Sequence, residues 1–93
     1  MKINLNSYSQ LIDDYLNDKV STKHFEKTYL KTFIEETGKM TEKEYALLNG
    51  LFMDIEAFCD NPDLFDQYSI DESKLKNRCK VALEKLRRLK EKG

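Results

Sequence analysis

The stretch TEKEYALLNGLFMDIEAFCDNPD, residues 41–63, decides the fold. It opens with Thr41 and Glu44 in the T-x-x-E spacing of a capping box. There a hydroxyl accepts one unpaired N–H of the helix start and the carboxylate accepts another. Met40 and Tyr45 stand where a hydrophobic staple would close over that box. Tyr45, Leu48, Phe52, Ile55 and Cys59 then recur at alternating steps of three and four, as one helix face requires. Leu47, Leu51 and Phe58 widen the stripe. Gly50 falls inside it, at a cost of about 1 kcal/mol against alanine. That cost predicts close approach of a neighbouring helix. Pro62 ends the helix, because a proline disfavours α geometry in the residue before it.

The same signals repeat on both sides. Towards the N-terminus, Ser21 predicts a helix cap, with Val20 and Phe25 as its staple and Phe25, Tyr29, Leu30, Phe33 and Ile34 as its stripe. Gly38 is placed to end that helix in the left-handed region. Earlier still, Tyr8, Leu11, Ile12, Tyr15 and Leu16 predict a first helix, capped by Ser7 with Gln10 and ending near Asp18 or Lys19. Beyond Pro62, residues 61–70 read as a loop with a short helical turn, anchored by Leu64, Phe65, Tyr68 and Ile70. Of these, Phe65 is expected in the core. Asp71 caps a last helix whose seam is Leu75, Cys79, Ala82, Leu86 and Leu89, with Leu83 beside it.

Ninety-three residues with three glycines and one proline leave few turns, so the elements must be long. The expected architecture is all-α, a small antiparallel four-helix bundle, with residues 1–93 forming one domain. No apolar run approaches the roughly 20 residues of a membrane span. MKINLNSYSQ has no apolar core for a signal peptide. Cys59 and Cys79 are too few for a disulfide scaffold, so free thiols and a cytoplasmic location are expected.

A net charge of −1 hides a partition. Residues 1–43 carry seven acidic and seven basic side chains. Residues 44–73 carry eight acids (Glu44, Asp54, Glu56, Asp60, Asp63, Asp66, Asp71 and Glu72) and no Lys or Arg. Residues 74–93 carry nine bases and two acids. A charged face is first of all a solvated face, and Asp71 and Glu72 at a helix start suit its dipole. The dipole argument runs the other way for Asp54, Glu56 and Asp60 at the end of the third helix. Glu56 and Asp60 are also a like-charged i, i+4 pair. Asp63 and Asp66 follow with no neighbouring base. Charges that break a local rule mark candidate sites. This acidic pole predicts a basic protein partner, with Met53, Phe65 and Tyr68 nearby as apolar residues. The basic last helix offers a second reading, a nucleic-acid binder, but no aromatic residue interleaves with its cations in the sequence.

Nothing here assembles a catalytic constellation. His24 is the single histidine, and one histidine with two cysteines twenty residues apart makes no zinc site. There is no phosphate-cradling glycine loop and no G-x-S-x-G. Cys79 lies on the apolar seam and reads as a small core residue. Neither catalysis, a cofactor nor a metal is expected.

Leu51-Phe52-Met53, Glu56, Phe58, Asn61-Pro62-Asp63, Tyr68, Ile70-Asp71, Leu75 and Leu83-x-x-Leu86 together resemble the colicin D immunity family, the bacterial self-protective colicin-like immunity proteins. The resemblance covers about half the chain. It implies a four-helix bundle that binds the C-terminal nuclease domain of a cognate bacteriocin or contact-dependent inhibition toxin as a 1:1 complex. In colicin D that toxin is a tRNA anticodon-loop ribonuclease, blocked by acidic residues that imitate the tRNA. Glu56, Asp60 and Asp63 stand at the matching acidic positions, and Asp66, Tyr68 and Asp71 extend them. The spacer between Phe58 and Tyr68 is about one residue longer than in colicin D immunity, which implies a different toxin. Neither direct nucleic-acid binding nor a membrane is part of that expectation. A helical adaptor for another basic protein is the alternative.

Overall fold

The computed structural model describes residues 4–59, 61, 63–67 and 69–92, with 90–92 described as backbone alone. Four helices carry the chain: α1 Leu5–Leu16, α2 Thr22–Glu36, α3 Glu42–Ala57 and α4 Glu72–Lys92. A 3-10 turn, Thr37–Lys39, joins α2 to the α3 cap. Each helix packs on the next, and α4 returns to pack on α1, closing a four-helix bundle. The ends match an antiparallel path. Tyr8 at the start of α1 donates to Glu36 at the end of α2, 2.6 Å, and Tyr15 at the end of α1 meets Thr22 at the start of α2, 3.2 Å.

Three starts form for the reasons the sequence supplies. Thr41 Oγ1 accepts the Glu44 N–H at 3.2 Å, and Glu44 Oε1 accepts the Thr41 N–H at 2.9 Å. Both partners are satisfied, which is why Glu44 tolerates burial. Ser21 Oγ accepts from His24 N at 3.1 Å, and Asp71 Oδ1 from Lys74 N at 2.8 Å. The first helix differs from expectation. Its cap is Asn4, whose Oδ1 accepts from Asn6 N at 3.0 Å, and Ser7 lies within the first turn. Asparagine caps as well as serine does, and the earlier start brings Leu5 against the core. The helix also ends at Leu16, short of Asp18. Asp18 takes the left-handed conformation (φ 59°) that turns the chain into α2. Gly38 does not adopt that conformation, because α2 tightens into the 3-10 turn and needs no reversal there.

The core is an aromatic column on α1 and α2 faced by an aliphatic seam. Tyr15 stacks on Phe25 with centroids 4.5 Å apart, and Tyr29 meets Tyr8 edge-on at 5.6 Å. Phe33 carries the column to Phe52 of α3 at 5.0 Å. Leu48, Leu51, Ile55, Leu75, Cys79 and Leu86 complete it. The Tyr29 hydroxyl donates to the Leu48 carbonyl at 2.8 Å, so a buried polar tip is paired. Gly50 does not mark a close approach. It is exposed, and a Cβ built there meets nothing within 4 Å.

Candidate functional site

The helical stripe of α3 stops before the sequence does. Ala57 is its last residue, and Phe58 is extended. Phe58 pairs with Ile70 in an isolated parallel bridge. Ile70 N donates to the Ala57 carbonyl at 3.0 Å and Cys59 N to the Ile70 carbonyl at 3.1 Å. These two bonds clip both ends of the segment between α3 and α4 into a closed loop, with Ile70 buried beneath it. Phe58 and Cys59 therefore continue the apolar pattern outside the helix.

Inside the loop, polar groups are satisfied locally. Asn61 accepts twice, from Leu64 N through its carbonyl and from Asp63 N through Oδ1, both at 3.0 Å. Ser69 N donates to the Asp66 carbonyl at 3.2 Å, and Ser69 Oγ donates to Asp66 Oδ1 at 3.0 Å. The loop holds single hydrogen-bonded turns at 61–64 and 66–69, and no helix is assigned among its described residues. Leu64 closes the first turn and Phe65 follows it, and neither anchors the loop. Phe65 is 46% exposed and Leu64 70% exposed, so the expected core position of Phe65 is overturned. The bridge, rather than these side chains, holds the loop.

The seven described acids of residues 44–73 separate into two groups. Four serve a helix cap or a contact between helices. Glu44 is used in the α3 cap and Asp71 in the α4 cap. Glu72 accepts from Thr22 Oγ1 at 2.9 Å, tying α4 to the α1–α2 turn. Asp54 is half-buried and faces α4, with Arg78 Nε at 3.9 Å. Burial raises its carboxyl above the ordinary range, opposed by Arg78 and Lys74. Asp54 thus belongs to the α3–α4 contact, and its apparent violation of the helix dipole rule has a cross-helix explanation.

Glu56, Asp63 and Asp66 are exposed on the end of α3 and the loop that follows. Asp66 spends Oδ1 on Ser69. Among the described residues, no hydrogen bond or ion pair holds the Glu56 or Asp63 carboxylate. Asp60 and Tyr68 lie outside the described residues. Met53, one turn before Glu56, is 62% exposed. The result is an acidic surface with apolar members on a loop tied to the core.

The sequence reading missed what faces the loop's other side. A cleft of about 820 Å³ lies between the loop and α4, walled by Phe65, Ile70 and Asp71 and by Lys74, Asn77 and Lys80. Their shared α4 spacing was available, since positions 74, 77 and 80–81 follow one face. Their meeting with Phe65 depends on the loop's path.

The remaining reactive groups are a buried thiol and an exposed imidazole. Cys79 is fully buried, and burial pushes its thiol up to about 12 with the Asp54 carboxylate adding to the effect. His24 is exposed in the first turn of α2. Among the described residues no group of three His, Cys, Asp or Glu is placed to hold a metal, and no helix is long and apolar enough to cross a membrane. A sequence model of the family described as bacterial self-protective colicin-like immunity matches residues 1–86. No curated protein and no solved structure matches the chain.

Proposed function

The chain belongs to the bacterial self-protective colicin-like immunity family, and from that premise we propose that it occludes the active site of a cognate nuclease toxin. Membership implies an immunity protein that binds a toxin, an inhibitor in place of an enzyme. The finer reading rests on one observation. Glu56 on the last turn of α3 and Asp63 on the loop after it are exposed carboxylates that the fold does not use, and the Phe58–Ile70 bridge fixes the ends of that loop. A nuclease site that holds nucleic-acid phosphates is electropositive. Carboxylates presented by α3 and the loop occupy such phosphate positions without being cleavable. Asp60, Asp66 and Tyr68 extend that contact, while the Asp71 carboxylate serves mainly as the α4 cap. A tRNA-cleaving bacteriocin or contact-dependent inhibition toxin, met in the cytoplasm as a 1:1 complex, is the partner this reading favours. Inhibition is steric and electrostatic and needs no cofactor.

The test is binding to the C-terminal domain of whatever protein the reading frame immediately upstream of this gene encodes, if that domain is toxic when expressed alone. Glu56→Lys and Asp63→Lys should each weaken the complex about tenfold or more, in the range measured for close interfacial charge pairs. Both should leave the bundle folded. A lysine at position 56 suits the C-terminal end of α3, where positive charge is favoured. Unchanged affinity in both variants would remove this surface from the interface. An upstream domain that is neither toxic nor bound would remove the toxin itself.

A further inference from the structure

We propose that the cleft between the loop and α4 is a second docking site for the same toxin, and that it takes an acidic segment carrying an apolar side chain next to its carboxylate. The inference rests on the immunity reading and deepens it, because it gives the toxin contact a basic side as well as an acidic one.

The cleft has two kinds of wall. Lys74 and Lys80 are exposed on the α4 side, with Asn77 between them. Lys76, their neighbour, is already committed to Asp18 Oδ1 at 2.8 Å and stands 5.5 Å from the centre of the Tyr15 ring. Lys74 and Lys80 form no such pair among the described residues. Opposite them stands Phe65, nearly half exposed, over the buried Ile70. An apolar anchor beside uncommitted cations is the composition of an interface centre and its rim. The volume accommodates several side chains.

Charge decides the occupant. A nucleic-acid strand would bring a regular row of phosphates past Lys74 and Lys80 and also against the Asp71 carboxylate in the same lining, where it is repelled. A protein segment carries its negative charge at one or two points and can be matched to Lys74 and Lys80, while the Asp71 carboxylate in the same lining is engaged in the α4 cap. An acidic surface and a basic cleft on one protein then fix the register of the toxin, because a partner displaced by one site meets like charge.

The two readings of the complex predict opposite signs, which makes the test direct. If only the acidic pole contacts a basic toxin domain, then Lys74→Glu with Lys80→Glu adds negative charge near the interface and should tighten binding. If the cleft is occupied as proposed, the same double variant should weaken binding at least tenfold, and Phe65→Ala should weaken it by a similar factor with an unchanged salt dependence. The measurement is titration calorimetry of the upstream-encoded toxin domain, carrying an inactivated active site, against the full chain at two salt concentrations. Circular dichroism of each variant checks the fold.

Weaker binding in the lysine variant and in Phe65→Ala supports the site. Tighter or unchanged binding in the lysine variant overturns it, and a loss on Glu56→Lys in the same series then leaves the proposed function standing. A wild-type chain that does not bind the domain overturns both. Binding of a single-stranded RNA oligonucleotide by the wild type, lost in the lysine variant, would overturn the choice of occupant.

Discussion

Gly50→Ala should stabilise the protein, and its sign tests how the α3–α4 contact is built. Glycine inside a helix is about 1 kcal/mol less favourable than alanine, because the unfolded chain has more backbone freedom to lose. That difference is recovered only where the added methyl has room and the backbone is already helical. Gly50 meets both conditions. It lies in the middle of α3, no glycine among the described residues has a positive φ, and no atom lies within 4 Å of a Cβ built there. The space is real, since Gly50 lines a groove of about 310 Å³ between α3 and α4 with Leu47, Asp54, Arg78 and Val81. Alanine should therefore add about 0.4–1 kcal/mol. A domain of this size gains roughly 4–8 °C in Tm per kcal/mol, so a rise of about 2–8 °C is expected. The assay is thermal and urea unfolding followed by circular dichroism, with the urea m-value unchanged so that the shift reports stability. A lowered Tm would refute the argument. Forcing a methyl against a packed neighbour costs about 1–3 kcal/mol, which is the outcome a close helix crossing at Gly50 would give.

Other perturbations follow from the same geometry. Thr41→Ala removes one half of the α3 capping box and should cost about 1 kcal/mol, read as a lower urea midpoint. Tyr29→Phe deletes the buried bond to the Leu48 carbonyl and should cost about 0.5–1.5 kcal/mol while circular dichroism at 25 °C stays unchanged. Thiol labelling of the native protein should modify half-buried Cys59 and spare Cys79 until unfolding; rapid modification of both would contradict the burial. Alkaline pH should destabilise the fold. The Cys79 thiol is pushed up to about 12 by burial, and burial raises Tyr8 and Tyr29 above the ordinary tyrosine value. The folded state therefore keeps protons that the unfolded chain releases. Stability is fully present below about pH 9 and falls as pH rises through 9–12, by about 1.4 kcal/mol per pH unit for each group so linked. A urea midpoint that stays level from pH 8 to pH 11 would contradict this.

The elements most legible in the sequence were those decided within a few residues. Ser21, Asp71 and the Thr41–Glu44 box each act on an N–H two or three positions away, so pattern and outcome coincide. The first cap was not read correctly: Asn4 caps α1 in place of Ser7, and the longer helix carries Leu5 onto the core. The end of α3 was not legible, because Phe58 and Cys59 keep an inward pattern while their backbone pairs with Ile70, a dozen residues away. The acidic block was visible as composition. Its division was not, because Thr22 claims Glu72 across fifty residues and Arg78 draws Asp54 inward.

This separation has a consequence for how the surface can change. Among the described residues, the aromatic column and the α4 seam that hold the bundle involve none between Cys59 and Ser69. The described loop residues satisfy their polar groups through Asn61, Asp66 and Ser69, and the loop joins the core by two backbone bonds that depend on no side chain. Exchanging Asp63, Leu64 or Phe65 therefore removes no core contact. Exposed substitutions of this kind usually stay within about 0.5 kcal/mol of neutral. On the proposed function, binding is the quantity they would alter, since an exposed carboxylate or aromatic ring can be worth several kcal/mol at an interface. If the proposed interface holds, a loop fixed at its ends and open in its content would let toxin specificity change without a change of fold. Asp71 marks the boundary of that freedom, because its carboxylate caps α4 and its replacement would cost stability along with any contact it makes.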